Sequence, residues 1–119
     1  MNKLFEILIL EEALEFLTGL DKKHSEKILF NIRKSQVKTD PELFKKLTDE
    51  IWEFRTLYQG LQYRLLAFWD KTLPTDTLVV STHGFIKKRS KVAHKEIQKA
   101  LTMRTEYFSN KQKENNKRK

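Results

Sequence analysis

LVVSTHGFIKKRSK, residues Leu78 to Lys91, is where the apolar sequence of this chain gives way to charge. Leu78-Val79-Val80 is a β-branched apolar run that reads as a buried strand, and Gly84 marks a bulge or a close backbone approach further along it. Lys87, Lys88, Arg89 and Lys91 then follow almost without a break. Lysines at a strand's end serve equally well as a solvated exit. Two arginines elsewhere in the chain shift the reading toward an anion site.

Those arginines lie on two further runs rich in Trp, Phe, Tyr, Leu and Val, Ile51 to Leu57 and Leu61 to Trp69. Tyr58-Gln59-Gly60 separates the two, and the Pro74-containing segment Asp70 to Asp76 separates the second from Thr77 to Phe85. Three antiparallel strands joined by two hairpins are expected. With Gln59-Gly60 as a two-residue loop, Tyr58 meets Leu61, Thr56 meets Tyr63, and Arg55 lies directly across from Arg64. Like charges opposite one another in a sheet repel, so an anion between them, or Glu53 two residues along the same face, must offset the repulsion. The bland alternative is that Glu53 pairs with Arg55 on a solvated face. The other face would hold Trp52, Phe54, Tyr63, Leu65 and Ala67 beneath helices, leaving the arginines on a charged surface.

Ahead of the sheet, Leu4 to Ile9 has strand character that periodicity alone does not separate from helix. Leu10, Ala13, Leu14 and Leu17 are spaced as a short helix stopped by Thr18-Gly19. Asp21 opens a second helix whose stripe Ile28, Leu29, Ile32 reaches about Ser35. His24 falls on that stripe, where a histidine is usually structural. Asp40-Pro41 breaks the pattern, and Phe44 and Leu47 fold back over the core in a linking segment. Ala93, Ile97, Ala100, Leu101, Arg104 and Phe108 are spaced as a last helix. Ser109 to Lys119 has no apolar residue and is expected to be a disordered basic tail. The expected organisation is one α+β domain over residues 1–108, with two N-terminal helices, an antiparallel sheet of three to four strands and a C-terminal helix, then the tail 109–119.

Charge is concentrated at one end. The formal net charge is +8, yet residues 87–119 carry 12 Lys or Arg against Glu96, Glu106 and Glu114, whereas residues 1–86 carry 12 basic and 13 acidic side chains. A basic end on a nearly neutral body is expected of a polyanion binder, nucleic acid before an anionic membrane surface. The absence of cysteine excludes a disulfide framework, a thiolate nucleophile and a cysteine zinc site, and His24, His83 and His94 lack ligand spacing, so neither metal nor other cofactor is expected. The apolar stretch Leu4 to Leu10 contains Glu6 and runs into Glu11 and Glu12, unlike a secretory signal, and nothing is long enough to span a membrane. A cytoplasmic protein is expected.

If the third strand pairs beside the second, its end delivers His83, Lys87 and Lys88 to the rim of the arginine face, and the last helix adds Lys91 and His94. Cleaving a phosphodiester without a metal needs cations around the phosphorane and a base and an acid for the attacking 2′-hydroxyl and the leaving 5′-oxygen. Histidine titrates in the useful range, arginine suits bidentate phosphate contact, and a lysine in a crowded positive site joins in proton transfer. The candidate catalytic residues are therefore Arg64, His83, Glu53 and His94, and alternation alone does not name which of Lys87 and Lys88 joins them. Arg55, Lys87, Arg89 and Lys91 are the candidate RNA contacts. Strand alternation puts Lys87 on the side of His83 and Phe85, and Lys88 on the side of Gly84; turning Lys88 toward the arginines requires a bulge at Gly84.

From about Leu43 to Tyr107 the chain resembles the HigB-like branch of the RelE superfamily, toxins of type II toxin-antitoxin systems. The resemblance rests on Ile51-Trp52-Glu53-Phe54-Arg55, on Gly60 with Tyr63-Arg64, on His83-Gly84-Phe85-Ile86-Lys87-Lys88, and on Glu96-Ile97 with Ala100. Their order and spacing carry it. It implies a RelE-like α+β fold acting as a ribosome-dependent, metal-independent endoribonuclease on messenger RNA that inhibits translation. The implied inhibitor is a cognate antitoxin, a helix-turn-helix HigA-like protein. By position, Arg64 matches the phosphate-binding strand arginine and Lys87-Lys88 the basic pair after the last strand, with weight at or near Lys88. Relatives carry a proline shortly after that pair, where this chain has Ala93. A noncatalytic basic module that binds nucleic acid or protein, such as a decayed toxin or a regulatory subunit, is the alternative from another class.

Overall fold

A computed structural model describes residues 2–72 and 77–117. In chain order the elements are β1 (Glu6–Ile9), α1 (Glu11–Thr18), α2 (Lys22–Val37), β2 (Phe44–Lys46), β3 (Trp52–Tyr58), β4 (Leu61–Asp70), β5 (Leu78–Lys87) and α3 (His94–Lys117). The strands form one sheet in the order β1-β5-β4-β3-β2. The α+β class and the order of helices are as expected, but the sheet is mixed and has five strands. β1 runs parallel to β5, from Glu6 opposite Leu78 to Ile9 opposite Ser81, and β2 adds antiparallel to β3. The direction in which Leu4 to Ile9 pairs is not encoded in its own pattern, and β2, at three residues, is too short to show a period.

The central hairpin turns as expected. Gln59 and Gly60 both have positive φ, 49° and 79°, the backbone that a two-residue turn matched to the strand twist demands. The register that follows places Arg55 opposite Arg64. Of the Pro74-containing connection, 73–76 lie outside the described residues.

Both sheet faces are covered. On one, Phe54, Tyr63, Leu65, Ala67 and Val79 pack with Ala13 and Leu17 of α1 and Ile28 and Ile32 of α2. On the other, Leu66, Phe68 and Val80 pack with Ala100, Ile97 and Phe108 of α3. Leu65, Leu66, Ala67 and Phe68 are therefore buried in succession rather than alternately. A large apolar side chain gains about 1.5–3 kcal/mol from full burial, which favours covering both faces of such a strand. The open charged face expected from the sequence is correspondingly reduced to the hairpin end of the sheet.

A bulge sets which β5 side chains reach that end. Leu66 pairs with His83 but Ala67 pairs with Ser81, so Thr82 is the extra residue. Ser81 directs its hydroxyl to the Leu66 carbonyl at 3.2 Å, and the Thr82 hydroxyl oxygen lies 3.3 Å from the same carbonyl. Strict alternation would put His83, Phe85 and Lys87 on the face opposite Val80; the bulge turns them onto the same face, toward α3. Gly84 is not the bulge but a close approach, because a Cβ there would lie 2.4 Å from Cδ2 of Phe16.

α3 continues as a helix to Lys117 where the lack of apolar residues predicts disorder, with 118–119 outside the described residues. Its polar half is anchored at the start, through Lys111. Tyr107 donates its hydroxyl and Lys111 its ammonium to Oδ2 of the fully buried Asp70, each at 2.7 Å, while the Thr72 backbone N–H and hydroxyl hold Oδ1. Burial alone would raise the Asp70 pKa, but the hydrogen bonds from Lys111, Thr72 and Tyr107 hold it well below the usual carboxylate range. Among the described residues, no helix is long and apolar enough to cross a membrane.

Candidate active site

The bulged face carries its polar groups in rows across the strands. Lys45 of β2 lies opposite Glu53 of β3, which lies opposite Leu66 and then His83; Arg55 lies opposite Arg64 and then Phe85; and Gln62 lies opposite Lys87. Arg64 is the centre of this arrangement and is 3% exposed. Its Nε lies 3.0 Å from Glu53 Oε1, although the N–H is not aimed at that oxygen, so the contact is an ion pair without a directed hydrogen bond. Nη1 donates to the Tyr63 carbonyl at 3.0 Å and Nη2 to Gln62 Oε1 at 3.1 Å. Burial pushes the guanidinium pKa down, Glu53 opposes that, and Arg55 adds to it. The partner of Glu53 is thus the buried Arg64, not a solvated Arg55. Arg55 is half-buried and donates from Nη1 to the Pro41 carbonyl at 3.2 Å.

Lys87 joins the arginines, and among the described residues it forms no ion pair with a carboxylate. Its pKa is lowered first by burial and then by the positive charge of Arg64, with Arg55 and Lys45 adding to it and Glu53 opposing. Because the pairing is regular from His83 to Lys87, the bulge that Lys88 would need is absent at Gly84, and Lys87 is the member of the pair on the Arg64 face. Lys88 is exposed just beyond the strand.

From Lys87 the charge continues into an open cleft of about 400 Å³ between the end of β5 and the start of α3. Lys88, Arg89, Lys91 and Lys95 line it with Phe85 and a single carboxylate, Glu96. Of the residues singled out from sequence, the structure thus brings together Lys87, Lys88, Arg89 and Lys91 in the cleft and Glu53, Arg55 and Arg64 beside it. His83 lies behind the cleft. It is 3% exposed, with Nδ1 2.9 Å from Thr82 Oγ1 and Nε2 3.2 Å from Glu96 Oε1, and burial first, then nearby Lys99, lowers its pKa against the opposing charge of Glu96. His94 stands apart, exposed on the first turn of α3 and accepting from Gln98 at 3.3 Å along its own helix. His24 is structural as expected, its Nδ1 2.7 Å from the Tyr63 hydroxyl on the opposite face.

Two members of the site escaped the sequence reading. Lys45 rides on the strand that was too short to recognise, and Glu96 entered among the residues that carry the family resemblance, with no role at the site. A signal for Glu96 existed in its i+4 relation to Ala100, which places it near the buried stripe of α3.

Fold and charge together define a small α+β protein with a cationic cleft at the hairpin end of its sheet. The chain belongs to the family described as Phage derived protein Gp49-like (DUF891), whose family model matches residues 15–105. That family is part of the RelE and toxin-antitoxin-like group. No curated protein matches the chain.

Proposed function

We propose that this protein is the toxin of a type II toxin-antitoxin system, of the HigB-like kind, and that it cleaves messenger RNA on the ribosome without a metal. The observation that carries the reading is the continuous run of cations Arg55, Arg64 and Lys87 into Lys88, Arg89, Lys91 and Lys95, with Glu53 and Glu96 as the only carboxylates among them in the described residues. Such a run attracts a polyphosphate backbone, and Lys87, held among like charges, suits proton donation to a leaving oxygen. Its inhibitor is a cognate antitoxin, a helix-turn-helix HigA-like protein that occupies or distorts this cleft. The cytoplasm, where messages are translated, is the matching compartment. In roles, Lys88, Arg89, Lys91 and Arg55 bind the backbone, Lys87 gives the proton, and Arg64 with Glu53 fixes the floor beneath them.

One observation favours a noncatalytic basic module instead: Arg64 and Glu53 are buried and matched to each other, as a structural pair would be. Inducing the protein alone and together with the product of its neighbouring reading frame separates the two readings. Growth arrest with fragmented transcripts, relieved by the neighbour, is the expected result; unimpaired growth with intact transcripts supports the noncatalytic module.

A further inference from the structure

Glu96 is the single carboxylate lining the cleft, amid Lys87, Lys88, Arg89, Lys91 and Lys95, yet among the described residues it forms no ion pair with any of those cations. Its partner is His83, through Oε1 alone. The side chain of Glu96 is 21% exposed and that of His83 4%, so the carboxylate faces the cleft and the imidazole backs it. Among the described residues Oε2 has no hydrogen-bond partner.

The tautomer of His83 follows from its neighbours. Burial favours the neutral ring, and a carboxylate accepts only, so Nε2 carries the proton and donates it to Glu96 Oε1. Nδ1 is then an acceptor, and the Thr82 hydroxyl donates to it at 2.9 Å, its shorter contact; the Leu66 carbonyl, at 3.3 Å from that hydroxyl, also accepts from Ser81. Thr82 is the bulge residue, so the irregularity in β5 places donor, ring and carboxylate in line. With both nitrogens occupied and the ring buried, His83 has no free position for substrate.

We infer that Glu96 is the general base of the cleft for RNA cleavage, with His83 and Thr82 as positioning residues that hold its carboxylate toward the substrate. This rests on the nuclease reading given above. The free Oε2 takes the proton of the 2′-hydroxyl, the 2′-oxygen bonds to phosphorus, and the bond from phosphorus to the 5′-oxygen breaks. Lys87 ammonium gives the leaving oxygen its proton. The products are a 2′,3′-cyclic phosphate and a 5′-hydroxyl, and solvent returns Glu96 and Lys87 to their starting states. The surrounding lysines stabilise the charge that develops on the phosphorane.

Single-turnover cleavage of a defined message on ribosomes tests this. Glu96→Gln keeps an oxygen for the His83 N–H but cannot take a proton, and the rate should fall by about 100-fold or more while ribosome binding stays within about threefold. Formate added to Glu96→Ala should restore part of the rate in proportion to its concentration. His83→Gln, which still offers an N–H to Glu96, should retain more activity than His83→Leu and change the acid side of the pH–rate profile. In the wild type, which needs no variant to fold, that side should fall by about tenfold per pH unit. A wild type that cleaves with a flat acid side, or a folded Glu96→Gln that cleaves within about threefold of it, overturns the role of Glu96 alone. A wild type that leaves the message intact overturns the nuclease reading and this inference with it.

Discussion

Arg64 shows how one residue's identity was legible while its environment was not. Its pairing across from Arg55 follows from the Gln59-Gly60 turn, but nothing local to β4 announces that α3 covers the same face, so a surface arginine is expected where a buried one stands. The consequence is a different mutational outcome. Arg64→Ala leaves Glu53 buried without its cation and should cost roughly 3 kcal/mol or more in urea unfolding, rather than the few tenths of an exposed site. A loss under about 0.5 kcal/mol would contradict the buried pair. The lysines separate as well. Lys87→Ala should lower single-turnover cleavage strongly with near-normal ribosome binding, whereas Lys88→Ala should mainly weaken binding and its salt dependence. Equal small losses at both would reduce the pair to an electrostatic patch.

At the scale of elements, helices α1 and α2 and strands β3, β4 and β5 were readable because each carries a period or a turn signal long enough to count. The parallel pairing of β1, the three-residue β2 and the bulge at Thr82 were not, since each depends on what lies alongside in space. Gly84 was flagged by type but its reason lies on another element. Gly84→Ala drives a methyl into the Phe16 ring, which packs edge-on against Tyr63 at 6.2 Å, and should destabilise by about 1–3 kcal/mol in chemical denaturation. No change would mean that Phe16 moves aside freely. The bulge also sets a pH dependence. Burial lowers the His83 pKa below its unfolded value of 6.5, in a setting that includes Glu96, Lys99 and Glu12. The unfolded chain therefore takes up the proton first as pH falls through 6.5, and the contribution of neutral His83 to stability, complete above that pH, declines toward the folded pKa. Unfolding measured from pH 7 to 5 should show a decline that His83→Gln lessens; parallel curves for both proteins would contradict it.

Across the whole molecule, the uneven charge of the sequence becomes a spatial division. The cations of the last third do not all trail away: Lys87 to Lys95 line the cleft, Lys99 reaches Glu12 of α1 at 2.6 Å, Arg104 reaches Glu50 at 3.2 Å, and Lys111 is consumed by Asp70. Among the described residues the first group, with the exposed Lys113 and Lys117 on the last turns of α3, is left to meet an external polyanion, which is why net charge alone overstates the binding surface. The most direct measurement is primer extension on a translated message incubated with purified protein and ribosomes, with and without the product of the neighbouring reading frame. Cuts within the translated codons, dependent on ribosomes and suppressed by the neighbour, are predicted. Full-length message at protein concentrations that saturate ribosome binding would contradict the account.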